Sequence, residues 1–277
     1  MLDRYGLRAA ALVLAFGFSL FHSPLLVARQ TRSPIAAESS PLTVDEIVSR
    51  MVERNRERAE ALRGFQGTRR YQMQYRGFFG SHDAEMMVKL TYTAPNSRQF
   101  TVVSQSGSKF IVEHVFKSLL DGEQEAMTPG NRERTALNAE NYQFALLGVE
   151  STQDGLEYVL NVTPKGDNKF LYRGKIWVDA KEFAVKRVEA EPAKSPSFWI
   201  KKSKINHNYE KIGDFWLPSE DRSESSIRLG GRAILSIEYK DYQIMDATPV
   251  AAAQSVRNAP APSESELATN LATKPSN

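Results

Sequence analysis

Residues 172–192 read YRGKIWVDAKEFAVKRVEAEP, and residues 197–242 read SFWIKKSKINHNYEKIGDFWLPSEDRSESSIRLGGRAILSIEYKDY. Short runs rich in β-branched and aromatic residues alternate with turn signals at 179–182, 213–214 and 230–231. Runs of this length joined by such turns are typical of consecutive antiparallel strands connected by hairpins. No catalytic motif interrupts the series. The stretch therefore predicts a curved β-sheet that holds a ligand rather than a site that transforms one.

The composition is that of a globular protein. Of the 277 residues, 41% are hydrophobic and 25% are charged, and the formal net charge is +3. A charge this small gives no reason to expect nucleic acid as a partner, since that would need clustered basic surface. There is no cysteine, which excludes disulfide bonds, thiolate metal ligands, thiol catalysis and a lipid-modified N-terminal cysteine. An exported chain of this kind has to be stabilised by core burial, which favours one large sheet.

Residues 1–28 have the features of a secretory signal peptide. They combine a basic start, an apolar run from Ala9 to Phe21 and a small residue, Ala28, at a cleavage position. An uncleaved membrane anchor is one alternative, although the run is shorter than the ~20 apolar residues that cross a bilayer. A buried helix of a cytosolic protein is the other. Export is the prediction.

The ends of the folded domain follow from changes in composition. Residues 29–42 are polar, contain Pro and Ser, and are interpreted as a linker. Residues 247–277 are rich in Ala, Pro, Ser and Thr, lack periodicity, and are interpreted as a disordered tail. The sequence therefore predicts one folded domain over residues 43–246.

The first half of this domain begins with a helix. Thr43 and Glu46 form a capping box in front of an amphipathic segment that is expected to end at Gly64. From Gln66 the apolar period changes to two, which predicts three strands in meander order. The period becomes helical again over 109–127, so a second amphipathic helix is expected to cross the concave side of the sheet.

A second group of strands begins at Tyr142, after a segment over 129–141 that is interpreted as a polar connection. Together the two groups amount to about ten strands, with two long helices. The predicted fold class is α+β, predominantly antiparallel β.

The sequence offers no constellation of catalytic or metal-binding residues. Beyond the signal there are three histidines, His82, His114 and His207, and none has a partner at metal-ligand spacing. The serines lack the G-x-S-x-G context, and no glycine-rich loop is suited to phosphate. Residues 121–123 resemble a fragment of a calcium loop without its remaining ligands. We therefore expect no enzyme activity, no metal and no cofactor.

Large apolar residues recur on one face of the predicted strands and on one stripe of the second helix. For any single residue an ordinary β core is the simplest interpretation. As a set they permit a hydrophobic cavity, because two helices cannot fill the concave face of a large curved sheet. The residues assigned to this cavity as candidate ligand contacts are Tyr71, Met73, Tyr75, Met86, Val88, Leu90, Tyr92, Phe100, Val102, Val115, Phe116, Leu119, Tyr158, Leu160, Leu235, Ile237 and Tyr239.

Several motifs in the stretch quoted first are similar to those of a known superfamily. They are R-G-K-I-W-V-D at 173–179, F-A-V-K-R-V-E at 183–189, S-F-W-I-K-K at 197–202, F-W-L-P at 215–218 and I-E-Y at 237–239. Together with the preceding signal, helices and meander, they make residues 43–246 resemble the LolA/LolB-type superfamily of periplasmic lipoprotein carriers, in its outer-membrane lipoprotein-sorting branch. The related RseB-type lipid-sensing domains share this pattern.

The resemblance implies an unclosed, or half, β-barrel of about ten strands with two helices covering the concave face. Such a fold would enclose an apolar cavity for acyl chains and would need no cofactor. The implied function is that of a monomeric periplasmic carrier or chaperone for lipoprotein or lipid cargo, with an inner- or outer-membrane protein as a further partner. The alternative is an RseB-like sensing module that binds a membrane protein.

Overall fold

A computed structural model of the protein describes residues 42–78, 80–195, 198, 200–228 and 230–247. The predicted signal peptide at 1–28 lies outside the described residues. So do the linker apart from Leu42 and the predicted tail apart from Ala247, which ends the last strand.

Ten strands and three helices form within these described ranges, so the predicted number of strands is confirmed. In chain order the elements are α1 (Val44–Ala61), β1 (Leu62–Gly77), β2 (Gly80–Thr93), β3 (Ser97–Gly107), a π-helical segment (Ile111–Phe116), α2 (Lys117–Ala126), α3 (Pro129–Thr135), β4 (Tyr142–Thr152), β5 (Gly155–Pro164), β6 (Tyr172–Asp179), β7 (Val185–Pro192), β8 (Ile200–Ile212), β9 (Phe215–Ile227) and β10 (Gly231–Ala247).

All ten strands belong to one antiparallel sheet with the order β3-β2-β1-β10-β9-β8-β7-β6-β5-β4. The first and last strands are neighbours near the middle, where Tyr71 lies opposite Ile237. Strands β3 and β4 form the two edges and do not pair with each other, so the barrel stays open. The predicted half-barrel is confirmed.

Two local predictions need correction. Helix α1 has the expected capping box, with Thr43 N donating to Glu46 Oε2 over 2.8 Å and Glu46 N donating to Thr43 Oγ1 over 3.3 Å. It ends at Ala61, however, and Gly64 lies inside β1, where bulges shift the pairing with β10. The segment expected to be a polar connection contains α3, whose first turn holds Pro129. Proline suits the first turn of a helix, and a short polar helix has no apolar stripe to reveal it.

The helices cover the concave face in two places. The π-helical segment and α2 together, residues 111–126, are called the lid helix below. Its Phe116 is fully buried and packs against Tyr71 of β1, with ring centroids 5.9 Å apart. Helix α1 covers the other half of the face, where Met51 packs in a cluster with Leu160 and Ile176 of β5 and β6. A gap remains between these two regions.

Candidate functional site

The residues predicted to line a cavity lie on the buried face of the sheet, but most of them are packed under a helix. The cluster beneath the lid helix contains Tyr71, Met73, Tyr75, Met86, Val88, Phe100, Val115, Phe116, Leu119, Leu235, Ile237 and Tyr239. A second cluster holds Leu90 and Tyr92, and a third holds Leu160 with Tyr158 packed against it. Val102 is 48% exposed, because it lies on the edge strand β3.

A cavity of about 150 Å³ lies between α1, α2 and the middle of the sheet. Its apolar wall includes Val52 and Ala59 of α1 together with Val188 and Leu217 of the sheet. Of the predicted ligand contacts, only Tyr92 and Tyr239 line it. Aromatic and charged residues make up a large part of the remaining lining: Phe65, Arg69, Arg98, Glu123, Tyr172, His207, Tyr209, Trp216, Asp221 and Tyr242.

A buried ion cluster joins the lid helix to the sheet at one side of this cavity. Glu123 of α2 accepts hydrogen bonds from Arg69 of β1, with Nη1–Oε2 at 2.6 Å and Nη2–Oε1 at 3.1 Å. Arg98 of β3 donates to Glu123 Oε1 as well. Arg69 and Glu123 are only 6% and 8% exposed. We call Arg69, Arg98 and Glu123 the charged cluster.

Aromatic rings surround the guanidinium groups of this cluster. Arg69 lies 4.9 Å from the ring centroid of Tyr239 and 5.5 Å from that of Phe100. Arg98 lies 5.9 Å from the ring centroid of Tyr92. Ring faces attract cations, and this attraction strengthens where water is excluded. The rings therefore help to offset the cost of burying two positive charges.

Burial opposes ionisation of Glu123, but the charges and hydrogen bonds of Arg69 and Arg98 outweigh it and hold its pKa at about 2, below the ordinary 4.5. A carboxyl group whose pKa is lower in the folded protein stabilises the fold at pH values above its unfolded pKa. That stabilisation is lost as the pH falls through the folded pKa. The charged cluster is therefore expected to hold the lid helix at neutral pH and to weaken only in strong acid.

The pH dependence of stability tests this ionisation. Between about pH 4.5 and pH 2, the free energy of unfolding of the wild type is expected to lose about 3 kcal/mol relative to Glu123→Gln, which has no carboxyl group to titrate. Urea denaturation at closely spaced pH values measures both proteins. A difference that stays constant over this range would contradict a depressed pKa of Glu123.

A second polar cluster lies deeper on the sheet, where β8, β9 and β10 are neighbours. His207 Nδ1 lies 2.5 Å from Asp221 Oδ1, and the hydroxyl of Tyr239 donates to the other carboxylate oxygen of Asp221. All three residues are buried, and burial raises the pKa of Tyr239 above its usual range. Because both oxygens of Asp221 accept hydrogen bonds, its charge is satisfied inside the sheet.

The sequence contained a signal for the charged cluster that its interpretation missed. Arg69 is in phase with Tyr71 and Met73 on β1, so the alternation places an arginine on the apolar face. Glu123 follows Leu119 by four residues and lies on the buried stripe of the lid helix. A charged residue at a core position predicts a buried partner, although the pattern cannot say which one.

Metal and membrane-spanning features are absent from the part of the chain that the structure describes. Within it, no group of three or more His, Cys, Asp or Glu side chains is placed to hold a metal ion. No helix in the same ranges combines the length and the apolar character of a membrane-spanning helix.

Comparison with known sequences gives a match to part of this chain. A sequence profile of a family of unknown function, DUF5686, matches residues 133–240, which run from α3 to β10. No curated protein matches the sequence.

Comparison with solved structures finds similarities of fold at low sequence identity. A domain from Vibrio parahaemolyticus described as an outer membrane lipoprotein-sorting protein is 13% identical, with 76% of this chain and 97% of that chain covered and a TM-score of 0.37. A LolA superfamily protein from Nitrosomonas europaea is 14% identical (73% and 94% covered, TM-score 0.32). The MucA/MucB complex of Pseudomonas aeruginosa gives 11% identity (74% and 96% covered, TM-score 0.24). The half-barrel itself is established by the strand order.

Proposed function

We propose that this chain is a periplasmic carrier or chaperone that takes up the apolar part of a lipoprotein or lipid beneath the lid helix, for sorting to the outer membrane. The observation that carries the proposal is the cavity between the helices and the middle of an open sheet. The predicted signal peptide supports export. The proposal assigns binding and release to this fold and no catalytic step.

The size of the cavity requires the lid helix to move. A volume of about 150 Å³ suits a molecule of the size of benzene, whereas sites for larger ligands measure roughly 300–1,000 Å³. An acyl chain therefore needs additional apolar surface. Tyr239 both lines the cavity and belongs to the cluster beneath the lid helix, so the two regions are adjacent.

Opening of the lid helix would join the cavity to this neighbouring apolar surface. The newly available surface would include Met86, Leu235 and Ile237 on the sheet, which are buried by the lid helix in the closed form. The π-helical segment at the start of the lid helix supports such a movement, because π-turns interrupt regular helical hydrogen bonding and occur often at functional sites. The predicted ligand contacts beneath the lid helix would then contact cargo in the open form.

Binding of a neutral apolar dye, N-phenyl-1-naphthylamine, tests the cavity. We expect saturable binding of one dye molecule by the wild-type protein, with the dye extending from the cavity onto the adjacent surface beneath the lid helix. Val52→Trp should weaken it by at least about tenfold, because Val52 lines the cavity and an indole would fill it. Ser49→Trp adds the same side chain at an exposed position of α1 and should bind like the wild type. Equal binding by both variants would contradict the cavity as the binding site.

Native mass spectrometry of protein purified from its own periplasm tests the cargo. Co-purifying lipid or lipoprotein would support the carrier function. Protein that carries no lipid, binds no dye and instead captures a single membrane protein would overturn the carrier proposal in favour of the sensing alternative.

A further inference from the structure

The charged cluster makes the cavity polar at the side that faces the lid helix. Arg69 and Arg98 both line the cavity, and the Nε–H group of each is buried without a hydrogen-bond partner among the described residues. Buried donors are nearly always paired in folded proteins, so these two arginines, whose Nε atoms are closed off from the cavity, keep a donor for a partner that arrives when the lid helix moves. A guanidinium group is suited to carboxylate and phosphate oxygens, which it binds through several donors at once.

The balance of charge on this side depends on Glu123. Two guanidinium groups face one carboxylate, that of Glu123. Asp221 also lines the cavity, and the hydrogen bonds that it makes with His207 and Tyr239 leave its negative charge in place. Glu123 and Asp221 together balance the two guanidinium groups while the lid helix is closed, but without Glu123 the arginines exceed Asp221 by one positive charge, and such a site attracts an anion.

Glu123 is the only member of the charged cluster that belongs to the lid helix; the arginines belong to β1 and β3. When the lid helix leaves the sheet, it removes the carboxylate that both arginines bind. Two arginines without a counter-ion beside an apolar surface are strongly unfavourable. An anionic group of the ligand that took the place of the Glu123 carboxylate would remove this cost and favour the open, loaded form.

We infer that the cavity takes single-chain amphiphiles with an anionic head group, carboxylate or phosphate, which replaces Glu123 between Arg69 and Arg98 while the chain occupies the surface beneath the lid helix. This inference rests on the proposed function and, of the two kinds of cargo named there, assigns a lipid rather than a lipoprotein. Glu123 then acts as an internal competitor. Its removal weakens the closed form and frees the arginines for the ligand.

A pair of fluorescent fatty acyl probes tests the inference with the wild-type protein. cis-Parinaric acid is anionic at pH 8, and its methyl ester has the same chain without the charge. We expect the acid to bind at least about tenfold more tightly than the ester, because only the acid pairs with the arginines. Equal affinities would overturn the inference, and because both probes would still bind, the proposed function would stand. Binding of neither probe would overturn the proposed function itself.

Variants of the charged cluster sharpen the test. Glu123→Gln should increase the affinity for the acid about tenfold more than the affinity for the ester. Weakening the closed form favours both probes, whereas removing the competing carboxylate favours the acid alone. Glu113→Gln makes the same chemical change at an exposed position of the lid helix and should behave as the wild type. Arg98→Gln should lose most of the preference for the acid. If Glu123→Gln fails to fold, the affinities of the wild-type protein and of Arg98→Gln for the acid and the ester still test the inference.

Displacement of bound cis-parinaric acid distinguishes the two sources of negative charge. Palmitate offers a carboxylate, and palmitoyl lysophosphatidate offers a phosphate on a chain of the same length. Displacement by either one supports an anionic head group, and the stronger competitor identifies its chemistry. Hexadecyltrimethylammonium, which has the same chain length and the opposite charge, should displace the probe at least about tenfold less well. Equal displacement by the cation would overturn the inference.

Discussion

Replacement of Glu123 by alanine is expected to lower the free energy of unfolding by about 3–5 kcal/mol, because Arg69 and Arg98 would stay buried without the carboxylate that both bind. The three side chains are almost inaccessible to water, so solvent cannot take the place of the lost partner. Urea denaturation at neutral pH measures the change.

Two further variants separate the charged cluster from the rest of the lid helix. Glu113→Ala removes an exposed carboxylate from the same helix and should change the free energy of unfolding by no more than about 0.5 kcal/mol. Replacing the whole cluster by apolar residues, with methionine for both arginines and leucine for Glu123, should be neutral or stabilising by about 1–4 kcal/mol. A cost below about 1 kcal/mol for Glu123→Ala would show that the charged cluster is solvated and does not hold the lid helix.

Replacement of Phe116 by alanine is expected to cost about 3–5 kcal/mol of unfolding free energy. Phe116 is fully buried at the junction of the π-helical segment with α2 and packs against Tyr71. Deleting its ring removes apolar contacts and leaves a space beneath the lid helix that the sheet cannot fill. Thermal and urea denaturation measure the loss.

Phe110→Ala is the matched control for this deletion. Phe110 immediately precedes the same helical segment but is 45% exposed. The centroid of its ring lies 4.8 Å from that of the His114 ring. We expect a loss of no more than about 1 kcal/mol, because the transfer of a half-exposed ring contributes little. Similar losses for the two variants would contradict the packing of the lid helix against the sheet through Phe116.

Local signals were sufficient for most of the secondary structure. Alternation along β1 identified the face that Tyr71 and Met73 bury, and the capping box of Thr43 and Glu46 marked the start of α1. These features act over a few residues, so they can be read without knowledge of the fold. Local signals failed where tertiary interactions override propensity. Gly64 was expected to end α1, but it pairs with β10 as part of β1.

The cavity could not be located from sequence because its position depends on where the helices rest. Alternation shows that Met86 and Ile237 face inward, but it does not show whether a helix or a ligand covers them. The lid helix covers both residues. The cavity lies beside them on the same face of the sheet, where charged and aromatic side chains contribute to its lining. Predicting a face is therefore a weaker statement than predicting a site.

By itself, the sequence determined the ten strands, the two long helices and the apolar face that the helices cover, because periodicity and end signals are properties of neighbouring residues. Only the tertiary structure decided that β1 pairs with β10 and that Arg69 binds Glu123, 54 positions away. Pairing of this kind depends on the register of a whole sheet, and a one-residue shift would turn Arg69 to the opposite face. The charged cluster beside the cavity, and with it the proposed preference for an anionic ligand, exists only at that register.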